Sequence, residues 1–156
     1  MRKKKYLTGI LVVFMAVAAI GATAMAPEKP GESLYKLLGG YDAIATVVDD
    51  FFGRLTGDPL FARFFMGHST QTKARIRQLT VDQLCAVTGG PCVYIGRDMK
   101  TAHAGLSITD AEWDISVKHL AAALDKFKVP QKEKDELIAL TVTLKGDIVE
   151  KPAVKK

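Results

Sequence analysis

The sequence predicts an all-α domain behind an export signal. Three observations predict the helical class. Apolar residues recur at three- and four-residue intervals through most of the chain. Those runs are punctuated at Gly39-Gly40, Gly57-Asp58-Pro59, Gly89-Gly90-Pro91 and Val129-Pro130. Only Cys92–Ile95 has β-branched and aromatic character, and it ends at Gly96, so it reads as a loop.

The chain has 156 residues, with 22 Lys+Arg against 17 Asp+Glu and a formal charge of +5. Arg2, Lys3, Lys4 and Lys5 supply four of the basic charges, and no acid precedes Glu28. Without those four the balance is +1, so the domain has no electrostatic footprint for nucleic acid. Roughly 130 residues remain, enough for one domain with its own core. Two cysteines exclude a disulfide-rich scaffold.

The basic Arg2–Lys5 segment, the apolar run Leu7–Gly21 and the small residues Ala22-Thr23-Ala24 and Ala24-Met25-Ala26 compose a secretory signal peptide over residues 1–26. Cleavage after Ala24 is preferred, because a cut after Ala26 leaves Pro27 first. The rival reading is an uncleaved membrane anchor, since Tyr6–Ala26 is uncharged and long enough to span a bilayer. Either way the domain is expected outside the cytoplasm, in the periplasm. Residues 27–32 read as a polar linker, 33–150 as the domain and 151–156 as a disordered tail.

Ser33 is placed to cap a short helix holding Leu34, Tyr35, Leu37 and Leu38, stopped by Gly39-Gly40. Ile44, Val48, Phe51, Phe52 and Leu55 then mark a long helix, and Leu60, Phe61, Phe64 and Phe65 a short aromatic element. Gly67–Thr72 reads as a connection. Lys73–Val87 is helical, with Ile76, Leu79, Leu84 and Val87 on one side and Thr80 and Gln83 on or beside that stripe. Asp98 is placed to cap a short helix from Met99 to Ala104. Thr109 and Glu112 make a capping-box pattern before Trp113, Val117, Leu120 and Leu124. Gln131–Ile148 reads as one final helix through Leu137, Leu140, Leu144 and Ile148.

The chemistry rests on few residues. There is no H-E-x-x-H, C-x-x-C or phosphate-binding glycine loop, and the missing C-x-x-C-H excludes covalent c-type haem attachment. No catalytic acid pair declares itself, and Asp49, Asp50 and Asp82 read as solvated charges. His103, among Met99, Ala102, Ala104 and Gly105, is either a structural histidine or a ligand that small neighbours let a flat macrocycle approach. Phe51, Phe52, Phe64, Phe65 and Trp113 are either core or pocket walls. Cys85 and Cys92, seven apart, are either a disulfide, which export permits, or two small thiols, and the thiol reading is preferred because Cys85 falls on an apolar helix.

In order along the chain stand Ser33-Leu34-Tyr35 with Gly39-Gly40, Val47-Val48-Asp49-Asp50-Phe51-Phe52, Phe64-Phe65, Gly89-Gly90-Pro91, Tyr94-Ile95-Gly96, the Met99–Leu106 segment with His103, His119-Leu120 and Val129-Pro130. With these motifs the chain resembles a truncated haemoglobin of the first, N-type group. The resemblance implies a globin-like two-over-two helical sandwich, the truncated globin fold, around a non-covalent haem b and its iron. It makes His103 the proximal iron ligand and Phe65 the phenylalanine that stacks on the haem. Met99, Leu106, Ile108 and Trp113 would line the proximal pocket, and Lys100 or Arg97 would meet a haem propionate or stay solvated. His68 would be a loop residue or a sixth ligand, and His119 structural.

The chain departs from the family on the distal side. Phe52 stands where many relatives carry a tyrosine that donates to bound ligand. Ile76 stands at the distal-histidine position, and Thr80 where relatives use glutamine. Thr80 and Gln83 are then the only polar groups expected there. The resemblance implies reversible binding of O2, NO or CO, in transport or sensing. The alternatives are a nitric oxide dioxygenase or weak peroxidase, which requires an external electron donor, and a haem-free helical interaction module.

Overall fold

The computed structural model describes residues 31–150; the signal, most of the linker and the tail lie outside the described residues. Its α-helices are α1 (Leu34–Leu37), α2 (Gly40–Gly57), α3 (Ala62–Phe65), α4 (Thr70–Val87), α5 (Met99–His103), α6 (Asp110–Lys126), α7 (Gln131–Val142) and α8 (Lys145–Ile148), with a 3-10 turn at Pro59–Phe61. No strand occurs among the described residues. No helix there is long and apolar enough to cross a membrane.

Helix α2 is central because its apolar residues fall on two faces. Val47 joins Leu34, Leu120, Ala123, Leu124 and Leu137, while Ile44 and Val48 meet Val81. The first set seats α2 on α6, which packs in turn on α7, and the second seats it on α4. Leu38 and Leu84 border both sets, so the core is continuous. The pairs α2–α4 and α6–α7, joined by α2–α6, form the two-over-two sandwich.

One tyrosine touches a member of each glycine pair, Gly40 and Gly90. Gly39 and Gly40 have φ of +94° and +80°, the left-handed region that suits glycine. They do more than stop α1, since α2 begins at Gly40 itself. The Tyr35 hydroxyl accepts from Tyr41 N–H at 3.1 Å beside that turn. On its other side the ring lies over Gly90, where a Cβ would come within 2.5 Å of it.

Several expectations are corrected. Cys85 and Cys92 are not free thiols; they form a disulfide with Cα atoms 5.8 Å apart. Gly89-Gly90-Pro91 turns the chain back, with Gly90 N–H on the Cys85 carbonyl at 2.8 Å, and brings Cys92 within bonding range. Helix α4 starts at Thr70 rather than Lys73, because the Ser69 hydroxyl accepts from Thr72 N–H at 3.1 Å. Its buried residues are Val81 and Cys85, whereas Val87 is exposed. The final helix is broken after Val142, where Thr141 and Thr143 hydroxyls bond the carbonyls of Leu137 and Leu140.

The acids expected to be merely solvated tie helices together. Asp49 takes two bonds of 2.7 Å from Arg77 of α4. Asp50 meets Lys126 of α6 and Arg54. Asp82 accepts from Tyr41 at 3.1 Å and Gln78 at 2.9 Å. The Arg77 guanidinium holds the Asp49 carboxyl below the usual carboxylate range, and Lys126 with Arg54 does the same for Asp50. Exposed ties of this kind contribute about 0–1 kcal/mol each and mainly fix register.

Candidate functional site

Asp98 caps the five-residue α5 as expected, accepting from Thr101 N–H and Thr101 Oγ1 at 2.8 Å each. Those bonds hold its carboxyl below the usual range, the backbone bond contributing most. His103 closes the helix half-buried, with Nδ1 2.8 Å from the Met99 carbonyl oxygen. A carbonyl only accepts, so in the neutral ring Nδ1 carries the proton and Nε2 keeps the lone pair. Nε2 has no hydrogen-bond partner among the described residues. This tautomer suits a metal ligand oriented by a backbone oxygen.

After His103 the chain turns through Gly105 (φ +82°) and Ser107 (φ +52°). Arg63 donates to the Leu106 carbonyl at 2.7 Å and the Ser107 carbonyl at 3.3 Å. It also meets both carboxylate oxygens of Glu112, at 2.8 and 3.0 Å. The capping box of Thr109 and Glu112 is complete. Burial pushes the Glu112 carboxyl up, but the bonds from Thr109 and Arg63 outweigh it and hold it below its ordinary value. A depressed folded pKa stabilises above the ordinary glutamate value and is lost as pH falls through the folded one. Glu112→Gln is therefore expected to cost about 1–3 kcal/mol at pH 7. It should also flatten the decline of stability below roughly pH 4. Urea titrations of both proteins at pH 7 and pH 3.5 check this.

The residues expected on the distal side come from α2, α3 and α4. Phe52 packs edge-on to Phe65 with centroids 6.2 Å apart, while its other flank borders the Ile44, Val48 and Val81 cluster. Ile76, Leu79, Thr80 and Gln83 lie half-buried on a face of α4 different from the Val81 and Cys85 face. Thr80 is not a free donor: its hydroxyl donates to the Ile76 carbonyl at 3.0 Å. Helix α4 packs on α2 and α5 on α8, with no extensive α4–α5 contact among the described residues.

The structure separates the remaining candidates. Met99, Leu106 and Ile108 are half-buried around the α5 segment, and Trp113 is buried at the start of α6. Phe51 is partly buried against the core beside α6 and packs edge-on to Phe52. Phe64 lies under the Arg63 guanidinium, 3.9 Å from its ring centre, and beside Phe61. His119 bonds Asp58 at 2.9 Å and packs on Phe61, a structural role. His68 is exposed and shares an open depression of about 270 Å³ with Phe65 and Lys73. Arg97 and Lys100 are exposed. Sequence reasoning passed over Arg63 and Glu150. A lone arginine inside an aromatic run marks the first, and nothing local marks the second.

An imidazole of fixed tautomer, an edge-on pair of phenylalanines and a two-over-two sandwich point to a globin. The half-covered apolar side chains near His103 and along α4 fit a flat, largely apolar cofactor. The sequence model of the bacterial-like globin family matches residues 33–150. The group 1 truncated haemoglobin GlbN of Mycolicibacterium paratuberculosis is 32% identical, covering 74% of this chain and 83% of that protein. GlbN of Nostoc sp. is 33% identical over 76% of this chain and 98% of its own length. The 2/2 haemoglobin of Synechococcus sp., crystallised in the cyanomet state with covalently attached haem, superposes with a TM-score of 0.69 at 28% identity, covering 77% of this chain and 100% of that one. The chain belongs to the bacterial-like globins and, within them, to the group 1 truncated haemoglobins. The family's cofactor is haem b with its iron, and its ligands are small gases such as O2.

Proposed function

We propose that this globin holds haem b through His103 Nε2 and reversibly binds diatomic gases, O2 and NO among them, in an exported compartment. The observation that carries the reading is the 2.8 Å contact of His103 Nδ1 with the Met99 carbonyl, which leaves Nε2 as the ligating nitrogen. When bound, the haem would supply an iron able to bind a diatomic gas, and His103 would hold it. Met99, Leu106, Ile108 and Trp113 line the imidazole side and exclude water. Phe52, Phe65 and Ile76 do so on the other side. Export is supported by the Arg2–Lys5 and Leu7–Gly21 segments and by the Cys85–Cys92 bridge, since disulfides persist in oxidising compartments. Absorption spectra of the mature protein, ferric, reduced and with CO, test the reading. A five-coordinate reduced spectrum that shifts with CO is expected, and a protein that takes up no haem would overturn it.

The distal side is poor in donors. Phe52 has no hydroxyl and the Thr80 proton is committed to Ile76, which leaves Gln83. A hydrogen bond to a charge-polarised ligand contributes about 1.5–3 kcal/mol. Phe52→Tyr is therefore expected to slow O2 release about 10- to 100-fold in stopped-flow measurements, with little change for CO. A wild-type release that is already very slow and indifferent to Gln83→Ala would refute this account.

A further inference from the structure

We propose that Arg63 and Glu150 are positioning residues for the His103 imidazole, acting through the turn at residues 104–107. The inference rests on the reading of His103 as the axial ligand. Helix α5 has five residues, too few to hold a fixed axis alone. Its first turn is fixed by Asp98. Its other end is fixed from outside. The Glu150 carboxylate accepts from Gly105 N–H at 2.7 Å and from Ser107 N–H at 2.6 Å. The Arg63 fork takes the carbonyls of Leu106 and Ser107, and Glu112 anchors that fork.

The two grips are complementary. The anion holds backbone donors and the cation holds backbone acceptors, on a three-residue segment. Ser107 sits at positive φ, a conformation that a residue with a Cβ keeps only when its surroundings impose it. Leu106 N–H returns to the His103 carbonyl at 3.1 Å, so the turn is coupled directly to the ligand residue. Glu150 N–H bonds the Ile108 carbonyl at 3.0 Å, and α8 packs on α5, which seats the carboxylate from its own side. Arg63 lies two residues before Phe65 on α3, so one guanidinium ties the element bearing the stacking phenylalanine to the element bearing the imidazole.

The variants are Glu150→Gln, which loses the charge and one acceptor, and Arg63→Lys, which keeps the charge and loses the fork. In the haem-free protein, amide hydrogen exchange at Gly105 and Ser107 should accelerate while the circular dichroism stays native. In the ferrous haem protein, the iron–imidazole stretching band should move to lower frequency and broaden. Haem transfer to an acceptor globin should quicken about tenfold, the lower end of what outer-shell partners of a metal ligand contribute. Asp49→Asn, which breaks a tie remote from α5, is the control and should leave the band in place. Accelerated exchange with an unmoved band and unchanged transfer would overturn the proposal, as would an equal shift in Asp49→Asn. A five-coordinate ferrous wild-type protein with no iron–imidazole band refutes His103 ligation itself, and the proposal falls with it by a distinguishable route.

Discussion

His103→Ala is expected to abolish the five-coordinate reduced spectrum and lower haem retention by about 100-fold or more, since even outer-shell partners of a metal ligand contribute about 10- to 100-fold. The expectation follows from what the side chain does without haem. His103 is half-buried, and among the described residues its side chain bonds a carbonyl within its own helix. Alanine is a better helix former, so the fold should survive and circular dichroism should be unchanged. The effect is then confined to the ligand. Added imidazole should partly restore the spectrum by entering the space left beside Met99. An unaltered spectrum in the variant would mean that the iron is held elsewhere, and His68, near Phe65, would be the next residue to change.

The second large effect is expected from the disulfide. Replacing Cys85 and Cys92 together by alanine should destabilise the domain by about 2–3 kcal/mol, from the loop entropy that a short bridge removes from the unfolded chain. For a domain of this size that lowers the melting temperature by roughly 10 °C. Cys85 is fully buried in the last turn of α4, so its loss also removes core contacts. Thermal scans with and without a dithiol reductant should show most of this difference in the wild-type protein and none in the variant. An unchanged melting temperature would mean that the Gly90–Cys85 bond and the Tyr35 ring hold the turn unaided.

The helical class and order were legible because periodicity reports burial. Ile44, Val48, Leu120, Leu124 and Leu137 are core residues in the sequence pattern and in the structure. The punctuation was legible as position but not as purpose. Gly39-Gly40 and Gly90 read as stops, and only the folded chain reveals the Tyr35 ring between them. Ser69 was missed as a cap because no apolar run follows it directly. The disulfide was illegible because it depends on how far a Gly-Gly-Pro turn reverses. At the site, the His103 position came from its motif, whereas its tautomer, the silent Thr80 hydroxyl and the Glu150 carboxylate arise from contacts that no local pattern encodes.

One helix serving two sets of neighbours has a consequence for how this globin comes apart. Helix α2 supplies Val47 to the α6–α7 side and Ile44 and Val48 to the α4 side. Neither half of the domain can bury its apolar surface without it, so among the described residues there is no internal seam along which the domain could be split, shuffled or partly melted. Heat or denaturant that loosens the α6–α7 side withdraws support from α4, and with it from the proposed distal wall. Release of cofactor and loss of helix should then coincide in a single cooperative transition.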